Sequence, residues 1–526
     1  MEQKRLLLAL ALSFGIIFAW DRFYLAPRRP LAPTGPVSTQ TTPSATDAQG
    51  GTKQAPAVLD LGAVSNVPVE KRTLETDLGS ITLSNEASFF SAWDLKKYTG
   101  AADRKIDLKE VLFRGGAGEI AFDSPELAYL AHVRGRIFER DGSAVWSYSD
   151  SKIALERVYR PSSNTGFVDV EVSVQMKGAL RPQFLFASVS AQNEQGAVDQ
   201  QDRRFLYWTN DSLKESSIEE EIKLREVATS VKWVAAANRY FLFAWINGPN
   251  TVEPRGLIQS IGPFQGRMSL VYPMSGESLK VKLRAFLGPK QLEILKQVEP
   301  TLGHAVDFGW LTVFAHPLLA IMKWFYGVAG NWGVAIILLT LLVKLLTFPL
   351  TYKSMKSMKQ MSAIQPELQK IREKHKDDKE ALNREMLTLM RSKGYNPVAG
   401  CLPMIIQMPV FFALYRVLYS SIELYHAPFF AWIADLSLKD PFYVTPVLLT
   451  ATMFFQQKLT PNTATDPMQQ KMMQWMPVIF GVFMISLPSG LSLYMLVNAV
   501  AGIVQQIFLN KKLDIRHGKA AQAGAR

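Results

Sequence analysis

The chain has 526 residues, of which 48% are hydrophobic, and its 58 Lys and Arg against 46 Asp and Glu give a formal net charge of +12. This apolar fraction excludes an intrinsically disordered chain. With Cys401 as the single cysteine, no disulfide framework and no Cys-x-x-Cys metal or redox site can form.

The basic excess lies in the apolar half of the chain. Residues 307–526 contain 22 basic and 12 acidic residues, whereas residues 1–305 contain 36 and 34. A soluble nucleic-acid-binding protein would carry such an excess on a polar domain, and basic loops between apolar segments are typical of membrane proteins with positive cytoplasmic loops. The sequence therefore predicts an integral membrane protein.

The first 58 residues predict an anchor and a linker. An apolar run at 6–20 follows Lys4 and Arg5, which fits either a signal peptide or an uncleaved signal anchor. Because small residues at cleavage spacing are missing, we favour a transmembrane signal anchor over residues 1–26. Residues 27–58 are rich in Pro, Thr and Ser, which predicts a flexible linker.

Residues 59–305 predict a soluble all-β domain. Valines at 168, 170, 172 and 174 alternate with polar residues, and the segment 279–284 alternates in the same way. This period of two is typical of half-buried antiparallel strands, and the turn clusters between them favour a large sandwich. A helix is expected at 289–298. The domain has no glycine-rich phosphate loop, paired metal ligands or nucleophile elbow.

Residues 306–327 predict an amphipathic helix lying in the membrane interface. The apolar segment is interrupted by His316, Pro317 and Lys323, and only a few residues separate it from the next apolar helix. A helix in the headgroup plane fits both facts. A further span here would also put the long basic loop that follows on the outer side.

Five apolar segments predict a membrane core over residues 328–510, at 332–350, 402–424, 442–456, 475–487 and 491–509. With the anchor they make six transmembrane helices. The core includes a cytoplasmic helical hairpin at 353–396, in which Pro366 marks a helix start, and a basic cytoplasmic tail follows at 511–526.

The charges of the loops predict the orientation. The segment 352–393 carries 11 basic and 6 acidic residues and the tail 5 and 1, whereas the loop 425–441 has Asp435 and Asp440 against Lys439. Both termini are therefore expected in the cytoplasm and the β domain in the periplasm, in a multi-pass protein of the cell inner membrane.

The first span of this core contains one buried-looking cation, Lys344, about 9 Å from its cytoplasmic end. Two interpretations are open: the Lys344 side chain snorkels to the inner interface, or it lines a wet groove. The groove is favoured by a mostly polar stripe at helical spacing, formed by Gly333, Ile337, Thr340, Lys344, Thr347 and Thr351. For Arg416, near the outer end of the next span, snorkelling is the favoured interpretation.

The membrane half resembles the YidC/Oxa/Alb family of membrane protein insertases, in the large Gram-negative form. The resemblance covers almost all of 310–509 and is only architectural in 59–300. The motifs that carry it are Asn331-Trp332-Gly333, TLLVKLLTFPLT at 340–351, Asn396-Pro397, Gly400-Cys401-Leu402-Pro403, Gln407-Met408-Pro409, Ala427-Pro428-Phe429, DPMQQK at 466–471, Met476-Pro477 and Pro488-Ser489-Gly490-Leu491.

The resemblance implies a five-helix core with a hydrophilic groove open to the cytosol, in which Lys344 attracts incoming chains. Many members have Arg at this position, so the charge is kept and a bidentate carboxylate contact is not. Thr340, Thr347 and Tyr494 complete the expected groove contacts. The resemblance also implies a hydrophobic slide for substrates, for which the candidates are Met404, Met408, Phe411, Phe412, Met476, Phe480 and Phe483.

The expected function is insertion, folding and assembly of membrane proteins without covalent chemistry, with no catalytic residue, cofactor or metal. Expected partners are nascent membrane proteins, the Sec translocon, the ribosome through the basic loop and tail, and membrane lipids, but not DNA. The alternative is a secondary transporter with a periplasmic domain, which would require internal repeats and carboxylates within its spans. The spans show no such repeat, and Glu423 is their only clear carboxylate.

Overall fold

The computed structural model describes residues 68–523 apart from 87–89, 100–104, 108–117, 163–165, 193–202, 219–224, 250–251, 307, 309–310, 376–377, 394–396 and 461–466. The anchor and linker predicted at 1–26 and 27–58 lie outside these residues. The chain divides into two compact units, one ending at Ala305 and the other beginning at Val306.

The first unit is built from β-strands. The described strands are β1 Lys71–Glu75, β2 Gly79–Ser84, β3 Ala92–Thr99, β4 Lys105–Asp107, β5 Glu119–Phe122, β6 Arg136–Arg140, β7 Ser143–Ser149, β8 Ile153–Pro161, β9 Phe167–Met176, β10 Phe184–Gln192, β11 Arg204–Thr209, β12 Ser212–Ser217, β13 Arg225–Ala228, β14 Trp233–Ala237, β15 Phe241–Asn247, β16 Arg255–Gly262, β17 Gln265–Pro273 and β18 Ser278–Pro289. Helix α1, Leu292–Val298, follows the last strand, and 3-10 helices occupy Pro125–Ala131 and Pro300–Ala305.

These strands form three antiparallel sheets. Nine strands lie in the order β12-β11-β14-β15-β18-β9-β8-β7-β6, five in the order β13-β16-β17-β10-β5, and four in the order β1-β2-β3-β4. The nine-stranded and five-stranded sheets pack face to face, where Trp245 of β15 donates from Nε1 to the Ser188 carbonyl oxygen of β10 at 3.0 Å. The β-sandwich predicted from the alternating pattern is confirmed.

The alternation of β9 and β18 decides which side chains enter this core. Val170 pairs with Leu283 and Val172 with Val281, and all four side chains are buried. On the other face Lys280 reaches Glu171 at 2.7 Å. Since the side-chain period of a strand is two, the valines and the charged residues must separate in this way.

The second unit is helical. Its helices are α2 Thr312–Ala329, α3 Trp332–Lys374, α4 Lys379–Ser392, α5 Pro397–Ser420, α6 Val444–Leu459, α7 Pro467–Met484 and α8 Ser489–Ala523, and a 3-10 helix follows α5 at Ile422–Leu424. Helix α2 lies where the interfacial helix was predicted, and α3, α5, α6, α7 and α8 overlap the five predicted spans.

The turn between α2 and α3 is set by two residues. Gly330 ends α2 with a φ of 65°, a left-handed conformation that glycine adopts without a Cβ clash. Asn331 then caps α3, because its side chain accepts a hydrogen bond from the Val334 backbone N–H at 3.1 Å. Helix α3 therefore begins immediately after α2 ends.

Helix α3 corrects one prediction. Pro366 lies inside this 43-residue helix rather than at a helix start. Strong helix formers such as Met361 and Glu367 flank the proline, so the helix continues through it. Lys374 and His375 at the end of α3 contact Glu385 of α4. The first arm of the hairpin expected at 353–396 is thus an extension of the apolar helix.

Within the described residues, two helices are long and apolar enough to cross a bilayer. They lie in Trp332–Lys374, with a mean hydropathy of 2.3, and Ser489–Lys511, with 1.6. The segment Gln474–Met484 is apolar but shorter. Helix α6, with 16 residues, is about 24 Å long and falls short of the ~30 Å hydrocarbon layer. That the chain has six transmembrane helices therefore stays a prediction.

The helices of the second unit pack in a series. Helix α5 packs on α3, α3 on α8, α8 on α6, and α6 on α7. Helix α5 also packs on α8 over a smaller contact, and α2 packs on α3 and α5. At the α6–α7 contact, a Cβ on Gly481 would lie 1.8 Å from Thr450 Oγ1. Such close approach is typical of membrane helix interfaces with small residues. Helices α5 and α7 stand at the two ends of this series.

Candidate substrate groove

Lys344 lies on α3 among the middle helices of the series. Its side chain is half-buried. Within the part of the chain that the structure describes, its ammonium has no carboxylate and no hydrogen-bond partner. A half-buried cation without a counter-ion is costly unless water or an anion reaches it. This position can therefore attract a negative charge.

Helix α8 comes close to this cation because residue 502 is glycine. A Cβ on Gly502 would lie 3.7 Å from Lys344 Nζ and 2.7 Å from Nε2 of Gln456 on α6. Gln505, three residues later on α8, donates to the Lys344 carbonyl oxygen at 3.1 Å. Gly502 of α8 and Gln456 of α6 thus lie near the Lys344 ammonium, and Gln505 holds α8 against the backbone of α3.

The threonines of the predicted stripe bond to their own helix. Thr340 donates to the Ile336 carbonyl at 2.7 Å, and Thr347 to the Val343 carbonyl at 2.9 Å. Such bonds satisfy a hydroxyl proton locally and leave its oxygen able to accept. Thr340 is buried, whereas Thr347 and Lys344 are half-buried. Thr347 is therefore the more accessible of the two beside Lys344.

Tyr494 of α8 is buried. Its hydroxyl accepts from Gln407 Nε2 of α5 at 3.5 Å, and its ring stacks on Phe411 with centroids 6.5 Å apart. The residue therefore joins α8 to α5, and its contacts are with Gln407 and Phe411.

The residues expected to form the slide lie on α5 and α7, the end helices of the series. Phe411 and Phe480 are half-buried against the core of the second unit. The side chain of Met404 lies outside the described residues. The exposed members are Met408, Phe412, Met476 and Phe483. Both end helices thus present large apolar side chains at the surface of the unit.

Arg416, the other cation of the predicted spans, is exposed on α5. It lies four residues before Ser420, the last residue of that helix. An exposed cation near a helix end can reach the interface along its aliphatic stem. Snorkelling of Arg416 stays a prediction.

The sequence alone did not single out Gly502, Gln456 or Gln505. A signal was available, because Asn498, Gly502 and Gln505 recur at spacings of four and three and so share one face of α8. That this face meets Lys344 depends on the pairing of α8 with α3, which no local pattern encodes.

The β domain contains clefts lined by polar and charged side chains. Two of them measure about 710 and 900 Å³. In the first, Lys232 pairs with Glu299 at 2.7 Å and Ser230 donates to Glu253 at 2.7 Å. Burial raises the pKa of Glu299, but hydrogen bonds from Lys232 and Thr301 outweigh it and leave the pKa below its usual value. Among the described residues, no three His, Cys, Asp or Glu side chains are grouped to hold a metal.

Two family models match this chain. The model described as "60Kd inner membrane protein" matches residues 324–517, and that described as "YidC periplasmic domain" matches 163–321. A crystal structure of an active YidC insertase with its first transmembrane domain resolved is 18% identical, with a TM-score of 0.36, and the match covers 83% of this chain and 92% of that one.

Curated relatives match over nearly the whole length. The membrane protein insertase YidC of Geotalea uraniireducens is 36% identical over 544 residues, covering 97% of this chain and 99% of the relative. That of Maridesulfovibrio salexigens is 33% identical over 543 residues, covering 96% and 98%. The chain therefore belongs to the YidC family of membrane protein insertases, as the motifs of its membrane half had indicated.

Proposed function

We propose that this chain inserts, folds and helps to assemble integral membrane proteins, alone or with the Sec translocon, through a hydrophilic groove that opens to the cytosol. One observation carries the proposal: Lys344 is half-buried, with its ammonium beside Gly502 and without a counter-ion among the described residues. No covalent chemistry, cofactor or metal is required. Thr340, Thr347 and Tyr494 belong to the proposed groove.

The energetic role of the groove is to lower the cost of bringing a polar tail into the membrane. A carboxylate at the bilayer centre costs roughly 2.5–3.5 kcal/mol on insertion scales. Water in the groove keeps the carboxylate solvated, and the positive charge of Lys344 attracts it. The apolar segment of the substrate then partitions into lipid by its own hydrophobic free energy.

The apolar surfaces of α5 and α7 suit the substrate helix. They stand at the ends of the helix series, and methionine and aromatic side chains repack around varied apolar partners. We propose that the substrate helix slides along these apolar surfaces, on Met404, Met408, Phe411, Phe412, Met476, Phe480 and Phe483.

The proposed topology has six spans, with the anchor at 1–26, the interfacial helix at 306–327 and the core at 328–510. The linker 27–58 and the β domain 59–305 are periplasmic, and both termini are cytoplasmic. In this orientation the basic hairpin 353–396 and the tail 511–526 face ribosomal RNA and anionic lipid headgroups, both of which attract Lys and Arg.

A secondary transporter has less support. Its coupling carboxylate would have to be Glu423, which lies beyond the end of α5 and pairs with Lys323 of α2 at 2.8 Å. Glu423 is therefore already paired within the helical unit. The curated relatives are named insertases.

Photocrosslinking should detect the nascent chain on the Lys344 face. A photoreactive amino acid at Thr347, one turn from Lys344, is expected to crosslink to an arrested nascent membrane protein. The matched control is Leu346, on another face of α3 and 70% exposed, which should crosslink to lipid. Equal crosslinking of the nascent chain from both positions, or none from Thr347, would contradict the proposed groove.

Thiol labelling of intact cells should report the orientation. In a chain with Cys401 replaced by alanine, a membrane-impermeant reagent is expected to label Lys439→Cys and not Glu373→Cys, because positive loops stay inside. Both positions are exposed, so permeabilised cells should label both. Labelling of Glu373→Cys in intact cells would refute the six-span topology.

A further inference from the structure

The loop between α5 and α6, residues 421–443, is firmly held although most of it is not helical. Leu424, Ile433 and Leu436 are buried in the core of the helical unit. At the start of α8, Ser489 N donates to the Leu438 carbonyl at 2.7 Å and Gly490 N to the Leu436 carbonyl at 2.9 Å. The loop is thus fixed to the helices on both its core side and its α8 side.

The acidic groups of this loop are turned inward. Asp440 accepts from Thr445 N at 2.8 Å, Phe442 N at 3.0 Å and Trp432 Nε1 at 3.3 Å. Burial raises the pKa of Asp440, but these hydrogen bonds outweigh burial and lower it overall. The Asp440 carboxylate is therefore ionised at neutral pH, and both of its oxygens accept hydrogen bonds from within the loop and the start of α6.

Asp435 behaves in the same way. Burial raises its pKa, whereas His426, whose Nδ1 lies 2.9 Å away, and Ser437 outweigh this effect and lower it. Lys439 is instead exposed. The outward charge of the loop is therefore positive.

The outward face of the loop is aromatic. Phe430 is 61% and Phe442 69% exposed. Trp432 and Tyr443 are also exposed, and Trp432 is tied to the backbone of Phe442 through Asp440. Tyr443 has a φ of 56°, in the left-handed region that a tyrosine adopts only when its surroundings hold it there. A fixed apolar face of this kind normally meets a partner.

The exposed face of α6 identifies that partner. It continues from the loop with Val447, Leu448 and Phe455, all exposed, which in an inner-membrane protein face lipid. Because α6 is only about 24 Å long, it leaves roughly 6 Å of the hydrocarbon layer unspanned. The aromatic face of the loop adjoins the first turn of α6. Its apolar side chains can therefore extend the apolar length of this short helix.

We propose that the α5–α6 loop is a membrane anchor that inserts Phe430, Trp432 and Phe442 into the lipid headgroup region, with the bilayer as its partner. Trp and Tyr favour this depth, and Lys439 can reach lipid phosphates from it. The loop thereby extends the apolar band of the short helix α6 and fixes its depth. This inference depends on membrane embedding alone and not on the proposed groove.

Fluorescence of labelled cysteines tests the anchor. The full-length chain with Cys401→Ala carries an environment-sensitive fluorophore at Phe430→Cys or Phe442→Cys, in liposomes that contain this chain as their only protein. Controls are Phe455→Cys on α6, for the lipid interior, and Asp211→Cys at the β11–β12 turn, for water. Lipids brominated near the headgroup or near the chain end serve as quenchers of different depth.

Labels at 430 and 442 are expected to emit at shorter wavelength than the label at 211. Headgroup-proximal bromine should quench them about twice as strongly as chain-end bromine, with the opposite order at 455. Emission and quenching equal to those at 211, with 455 behaving as lipid-exposed, would overturn the anchor and leave a protein as the partner. If Phe442→Cys fails to assemble, Leu438→Cys, 47% exposed in the same loop, replaces it with the same expected outcomes.

Discussion

Replacing Lys344 by glutamate is expected to slow insertion of a membrane protein with an acidic tail by roughly 30-fold, and replacing it by alanine by roughly fivefold. The fivefold effect of Lys344→Ala corresponds to the loss of an attraction of ~1 kcal/mol between unit charges in a wet groove. In Lys344→Glu this attraction becomes a repulsion, which about doubles the change in activation free energy. Lys344→Arg should work nearly as well as the parent, because the charge is kept.

Time courses of protease-protected substrate in proteoliposomes measure these rates at equal protein level. Arg416→Ala is the matched control, because Arg416 is an exposed cation on α5 and its loss should leave the rate unchanged. Under the snorkelling interpretation, Lys344→Ala would insert as fast as the parent and Lys344→Glu would chiefly lower the amount of assembled protein.

The second large effect is expected at Gly502. A leucine here would occupy the space beside Lys344 Nζ, which lies 3.7 Å from a Cβ at this position. The displaced ammonium can then no longer meet the substrate. Gly502→Leu should therefore slow insertion of the substrate with the acidic tail roughly fivefold, as Lys344→Ala does. Gly502→Ala should cost less, since the Gln456 amide that it approaches is the end of a flexible side chain.

Two comparisons separate this effect from general damage to α8. Val500→Leu enlarges an exposed side chain of the same helix and should leave the rate unchanged. Gly502→Leu combined with Lys344→Ala should be little slower than either alone, because both remove the same interaction. If the reductions in insertion rate of the two single variants multiply in the double variant, Gly502 acts independently of the cation.

The strands were predictable because their burial pattern is local. Val168 to Val174 alternate with polar residues over one strand, and the nine-stranded sheet buries that side. The helices of the membrane half were predictable for the same reason, as apolar runs. Pro366 was misinterpreted, because a proline ends a helix only when the flanking residues do not stabilise its continuation.

The proposed groove was only partly predictable. Lys344 stands out in sequence as a cation in an apolar helix, and the family motifs lie around it. Gly502 and Gln505 share one face of α8, but only the packing of α8 on α3 brings this face to Lys344. The α5–α6 loop is a similar case, since its sequence does not reveal that Asp440 turns inward while Phe442 turns outward.

The most direct test of the proposed groove is whether the effect of replacing Lys344 depends on the charge of the substrate tail. Insertion rates of an acidic tail and of the same tail with every Asp and Glu neutralised are compared in the parent and in Lys344→Ala. We predict a roughly fivefold defect on the acidic tail and almost none on the neutral tail, because the cation acts only on negative charge. Equal rates for the parent and Lys344→Ala on the acidic tail, or equal defects on both tails, would contradict the role of Lys344 as the substrate-attracting charge.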